Sequence, residues 1–406
     1  MKPPSRSAPL SLSSLAVAAT LVLAFALALL SPSSALALDR TFAASAQLDY
    51  HFVPTARGAN ARANTFDGFT LEAAAKITVD VTDSFSGTIK LCVGCHGLET
   101  DMAHMEYRVA DELAFRVGRF SPQFGGFNNR HDPANHRLSD KPLPYDMGRM
   151  LRLRGWNMGV LPSPFPDNGA EVTGALHLSP TATLDYAAHA VSGFKGERNG
   201  LDLDFVQSRD GNLYYVDNNG RPSFGGRVAL TLSLAERSEL TAGASLMRGT
   251  FDPTNDLAYT IFGGDLSLRL DKTNVRLEYL ARRQDIDVSD PTRFQYVVLP
   301  NGDFTMKHGA LAEVEQPVTS FLDVIARADG MLRIGNVAAV RPGEPPAPDG
   351  QLARSSWVLR GTLGTAITLE RGLRLKASGE VWKFSDDDAS GKQVAVSMHL
   401  GLVGSF

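Results

Sequence analysis

The residues best equipped for chemistry lie together in LCVGCHG, residues 91–97, which holds the chain's two cysteines, Cys92 and Cys95, followed at once by His96. Three chemistries suit a C-x-x-C-H run. Thioether bonds from Cys92 and Cys95, with His96 as an axial ligand to the iron, would hold a c-type haem. A C-x-x-C disulfide would instead tighten an exposed loop in an oxidising compartment. With His104 added, two thiolates and two imidazoles make a ligand set that zinc accepts. Under the haem reading His104 is the nearest candidate for the distal ligand, with Met102, His131 and His136 as alternatives.

What these residues can do depends on where the chain resides. Lys2 and Arg6 precede an apolar stretch from Leu15 to Leu30, and Ala35-Leu36-Ala37 offers a small-residue cleavage site. This pattern predicts a secretory signal peptide over 1–37 and a mature region over 38–406. Beyond it no run of about 18 apolar residues remains, so helical membrane spans are not expected. Charged residues make up 21% and the net charge is −4, which gives no electrostatic footprint for nucleic acid.

The elements that must position the motif repeat every two residues. In KQVAVSMHLGLVGSF the residues Val394, Val396, Met398, Leu400, Leu402 and Phe406 share one face, while Ala395, Ser397, His399 and Ser405 share the other. An arginine is therefore expected to be tolerated far better at Ser397 than at Leu400. GGDLSLRLDKTNVRLEYLARR repeats the pattern on both sides of a short turn, with Asp265, Arg269, Arg276 and Glu278 on the polar faces. The connections alternate in length. Tight turns near 82–84, 111–112, 179–181, 236–238, 271–273, 319–320 and 370–372 separate longer stretches at 122–169, 196–222, 286–306 and the Pro-rich 340–351. Alternating strands with short turns at one end and long loops at the other predict an all-β chain, a transmembrane antiparallel barrel of about 16 strands in the bacterial outer membrane. Its turns would be periplasmic and its loops extracellular, with lipid and lipopolysaccharide around it.

In the hairpin carrying the motif, Ile89, Leu91 and Val93 are read as lipid-facing, and Thr88, Lys90 and Cys92 as facing the lumen. A register that sets Lys90 opposite Glu106 pairs unlike charges and places Cys92 opposite His104, with a loop over 95–101.

MEYRVADELAFRVGRFSPQFGGF, residues 105–127, resembles the strand, turn, strand and GRF-x-P-x-FG element of the phosphate-selective porin family; residues 263–283 and 373–387 resemble its later strands. The resemblance implies a 16-stranded homotrimeric diffusion channel. It carries over no phosphate site residue by residue.

Loop 122–169 follows the fifth strand and is rich in bases. Arg130, Arg137, Lys141, Arg149 and Arg152 are candidate pore-lining residues, together with Arg276, Glu278 and Arg327 on the wall. Folded inward, the loop would form a positive constriction favouring anions. The wall itself is mixed, with Glu278, Glu313, Glu315, Asp323 and Glu380 beside Arg276, Arg282, Arg327, Arg360, Arg374 and Lys376. His177, His189 and His399 read as lumen or wall residues. No G-x-S-x-G, H-E-x-x-H or P-loop run is present, and no enzymatic activity is expected. The expected function is passive diffusion of small hydrophilic solutes; the alternative is a haem-bearing barrel for electron transfer or redox sensing.

Overall fold

The computed structural model describes residues 39–53, 68–94, 97–146, 159–163, 165–196, 205, 208, 215–287, 296–298, 304–335, 337–339, 355–384 and 394–406. The segment 1–37 read as a signal peptide, the 340–351 stretch, Cys95, His96, Arg149 and Arg152 lie outside the described residues.

The chain forms β1 (Asp39–Phe52), β2 (Gly68–Thr82), β3 (Phe85–Gly94), β4 (Gly97–Ala110), β5 (Leu113–Phe120), β6 (Asp167–Ser179), β7 (Ala182–Val191), β8 (Ser223–Ala235) and β9 (Ser238–Thr250). It continues through β10 (Ala258–Leu270), β11 (Thr273–Asp285), β12 (Tyr296–Val298), β13 (Phe304–Pro317), β14 (Leu322–Gly335), β15 (Val337–Ala339), β16 (Ser355–Glu370), β17 (Leu373–Phe384) and β18 (Val394–Ser405). β12 and β15 pair with each other; the other sixteen form one closed antiparallel barrel. Closure pairs β1 with β18, and at that seam the backbones of Ala44 and Phe406 exchange two hydrogen bonds of 2.7 and 3.0 Å. A closed sheet leaves no edge, which matters because each unpaired backbone group in hydrocarbon costs several kcal/mol. All seven tight turns fall where the sequence places them.

Burial is inverted relative to a water-soluble protein. On β1, Leu48, Tyr50 and Phe52 are exposed on the outer face, whereas Gln47, Asp49 and His51 are buried inside. β18 repeats this, with Met398, Leu400 and Leu402 outward and Ser397, His399 and Gly401 inward. On β11, Leu277 and Tyr279 face out while Glu278 and Arg282 are buried. Ser397 departs from the expected tolerance: its hydroxyl donates to Glu380 at 2.5 Å and accepts the Trp382 indole N–H at 2.9 Å, so an arginine would not fit. Period two reports the face a residue occupies, not the space available there.

The β3–β4 hairpin keeps its expected faces but not its expected register. Lys90 lies opposite Met102, Cys92 opposite Glu99 and His104 opposite Thr88, so Lys90–Glu106 and Cys92–His104 are not pairs. The strands continue to Gly94 and from Gly97, and residues 97–101 are strand rather than loop. A bulge between Lys90 and Leu91 leaves Asp101 out of the ladder, and Asp101 meets Lys90 at 2.7 Å. The charge expected from Glu106 thus comes from Asp101, and Glu106 binds Arg116 instead. Up to the bulge the shift is four residues, an even number, which is why the faces survive it; beyond the bulge, at Cys92, it is five.

Candidate channel constriction

β5 has only eight residues, and the chain then leaves the wall for the lumen. The GRF-x-P-x-FG element makes this turn. Phe120, Phe124 and Phe127 are buried, Gln123 N–H donates to Glu171 (2.8 Å), Gly125 N–H to Ser245 Oγ (2.9 Å) and Gly126 N–H to Glu278 (2.7 Å). Gly125 has φ +64° and sits against the Tyr145 hydroxyl and Glu278, so a side chain there would be both strained and obstructed.

From this pivot the loop crosses the barrel and is fastened on the far side. Asp140 accepts from Arg327 (2.7 Å) and contacts Arg360. Arg360 also holds Asp329 with two bonds of 2.9 and 2.5 Å, and Asp329 accepts the Leu143 N–H at 2.9 Å. Lys376 donates to Gln47 (3.0 Å) and to the carbonyls of Pro133 (2.7 Å) and Leu138 (3.0 Å), which satisfies all three of its protons. Apolar contacts add to the latch: Leu143 joins Met331, Val358 and Trp382, and Leu138 joins Ile325 and Ala366, so the polar wall carries two apolar seats for two loop leucines. The return leg pairs with the outgoing one, Gly159 N–H bonding Asp146 (2.8 Å) and Ser163 N–H bonding Tyr145 (3.0 Å).

Each described candidate lining residue can now be placed. Arg137 pairs with Asp323 (3.1 Å) and Glu315 (3.8 Å); Lys141 donates to Glu72 (3.2 Å) and to the Ser163 carbonyl (3.1 Å). Arg276 bridges Glu313 (3.0 Å) and Glu315 (2.6 Å), and Glu278 bonds the Tyr145 hydroxyl. Arg130 stands near Arg276, Glu313 and Glu315; burial and then the Arg276 charge lower its pKa. The described loop therefore does not present an unbalanced positive surface. Charges counted along the loop omit the wall carboxylates it folds against.

His131 and His136 do fold inward with the loop. His131 lies 3.1 Å from Lys90 and 3.3 Å from Asp132, on the lumen side of the hairpin that carries Cys92. His136 is buried, and burial together with Lys376, Lys141 and Arg327 pushes its pKa well below the usual histidine value. His104 is not brought to Cys92. It stands opposite Thr88, four residues along β3, about 13 Å at 3.3–3.4 Å per residue.

The sequence does not single out a second inward segment, between β7 and β8. Phe194 and Phe205 stack at 4.7 Å between ring centroids and pack with Phe165, Phe251 and Tyr259, while the Arg282 guanidinium lies 4.6 Å from the Phe205 ring. Phenylalanines inside stretches expected to be solvated loops were the available signal. Across the barrel from the β14–β17 latch, β4–β9 line a polar cavity of about 570 Å³ toward the tight-turn end, faced by Glu106, Arg108, Arg116, Asp185 and Arg227. Arg116 is held by Glu106 (2.8 Å) and Glu171 (3.1 Å), and Arg227 by Asp265 (2.5 Å).

No protein-family model matches the chain, and no curated protein does. Solved structures do resemble it. The outer membrane channel DcaP of Acinetobacter baumannii aligns with a TM-score of 0.53 at 14% identity, covering 92% of this chain and 99% of that one. The anion-selective porin from Comamonas acidovorans aligns at 0.51 and 11%, covering 91% and 100%. OmpT of Vibrio cholerae, in its trimer form, aligns at 0.51 and 10%, again covering 91% and 100%. At these identities the likeness is one of fold: a porin-type outer-membrane barrel. The closed sheet and the apolar outer face fit the bacterial outer membrane.

Proposed function

We propose that this barrel is a passive channel for small hydrophilic solutes, narrowed by the loop that follows β5. The observation that carries the reading is the loop's path. It is anchored at its pivot to β6, β9 and β11 and at its far side to β14, β16 and β17, and a polar cavity lies along β4–β9 toward the tight-turn end. A segment held at many points around a wall restricts a pore without sealing it.

Mixed charges along the cavity support only a modest preference for charge. Arg108, its side chain 58% exposed and 3.8 Å from Glu106, is the arginine on which a preference for small anions would rest. The resemblance of residues 105–127 to phosphate-selective porins points the same way. The porin-type fold, with one similar structure solved as a trimer, supports a homotrimer. Liposome swelling tests the reading. Small sugars should enter faster than oligosaccharides, and Arg108→Glu should slow small anions relative to neutral sugars; swelling rates independent of solute size would remove the constriction.

The haem-bearing alternative rests on Cys92, Cys95 and His96. Cys92 is half-buried on the lumen face, with Asp101, Lys90 and Asp132 as its charged neighbours.

A further inference from the structure

Where the barrel closes, the inner wall gathers a cluster of buried titratable side chains. His51 on β1 and His399 on β18 are direct cross-strand partners, their rings stacked at 4.3 Å between centroids and 22° between planes. Glu380 on β17 joins them. The ligating atoms of His51, Glu380 and His399 all lie within 4.8 Å of one another, and all three residues are buried. We propose that His51, Glu380 and His399 form a site for a divalent transition-metal ion of the zinc class, which clips the first strand to the last two.

Three observations carry the assignment. First, His399 Nδ1 lies 2.9 Å from Asp49 Oδ2, and Asp49 is itself buried. A carboxylate taking the proton of one ring nitrogen fixes the tautomer and leaves a lone pair on the other, the arrangement that supports most metal-binding histidines. Second, His399 Nε2 is buried without a hydrogen-bond partner. It stands 3.5 Å from Glu380 Oε2, at the outer limit for a hydrogen bond. Ligands at 2.0–2.1 Å in a tetrahedron are about 3.4 Å apart, so this spacing fits two ligands of one ion. Third, Glu380 Oε2 is held in place by the Ser397 hydroxyl (2.5 Å) and the Trp382 indole (3.1 Å).

Two imidazoles and one carboxylate are a nitrogen-rich set. Calcium and magnesium prefer all-oxygen cages, whereas zinc takes three such ligands and keeps a fourth position for water. The alternative arrangement, a metal-free imidazolium of His399 shared between Asp49 and Glu380, is the competing outcome. The two differ in whether His51 matters.

The test is a Zn²⁺ titration by calorimetry on the purified barrel in detergent. It is run on the Cys92→Ser, Cys95→Ser, His96→Ala background so that the hairpin motif cannot contribute. The expected result is one Zn²⁺ per chain. Affinity should fall at least about 100-fold in His51→Gln and in His399→Gln, and about 10- to 100-fold in Asp49→Asn, the positioning residue. Co²⁺ should give the strong visible absorption of a tetrahedral site, a readout independent of stability. A folded background protein that binds no Zn²⁺, or one whose binding survives His51→Gln, overturns the proposal.

Discussion

Asp140→Ala should loosen the constriction without unfolding the barrel. Asp140 is a loop carboxylate on the two arginines of the far wall, bonding Arg327 at 2.7 Å and touching Arg360. A hydrogen bond to a charged group contributes roughly 1.5–3 kcal/mol, and stranding a buried charge costs more. Neither arginine is fully stranded here, because Arg360 keeps Asp329 at 2.5 Å and Arg327 keeps Asp329 at 3.4 Å and Glu313 at 3.7 Å. The low end of each range therefore applies, about 3 kcal/mol for the two bonds, which shifts the docked-to-released ratio by about a hundredfold. Leu138, Leu143 and Lys376 still hold the segment, so release should be transient. Single-channel recordings should show new, brief excursions to higher conductance, and Asp140→Asn should show the same in weaker form. A quiet channel of unchanged conductance in Asp140→Ala, from a barrel shown to be folded, would mean that the latch is not where the loop's stability resides.

Leu400→Arg, on the outer face, should cost about 2–4 kcal/mol near the bilayer midplane, read from urea unfolding in vesicles, and an unchanged midpoint would put that face out of lipid. Lowering the pH should loosen the loop through His136. Its pKa is depressed when docked, by burial and by the Lys376, Lys141 and Arg327 charges, so its contribution is whole above the released ring's value of about 6.5 and is progressively lost as the pH falls below that. His136→Gln should flatten the dependence of single-channel noise over that interval; an unchanged pH profile would assign it elsewhere. Haem staining of a denaturing gel, after expression with haem-maturation machinery, should be positive if Cys92 and Cys95 bind haem and should be lost in Cys92→Ser. Stain that is absent, with thiols that resist alkylation until reduced, would make the motif a disulfide.

The barrel was largely legible in the sequence because its two determinants are local. Alternation along β10, β11 and β18 names the faces, and turn residues such as those at 271–272 and 371–372 name the ends. What was not legible depends on residues far apart in the chain. The β3–β4 register was misassigned because Lys90 has three carboxylates within reach of a plausible pairing. It takes Asp101 from a bulge and Asp132 from the loop. The inward path of the loop was anticipated from its position after the fifth strand, but its charge balance was not. Arg137 and Lys141 meet Asp323 and Glu72, residues 186 and 69 positions away. His51 and His399 carry no motif, since 348 residues separate them and only closure of the barrel sets them side by side.

Electrical recording from the purified protein in planar bilayers tests the central claim most directly. With no energy source and only a salt gradient and a small voltage, the account predicts discrete, ohmic steps of conductance that persist when the Cys92, Cys95 and His96 positions are all substituted. Protein that inserts, protects its strands from protease and passes no current would contradict it, and the barrel would then be a filled scaffold rather than a channel.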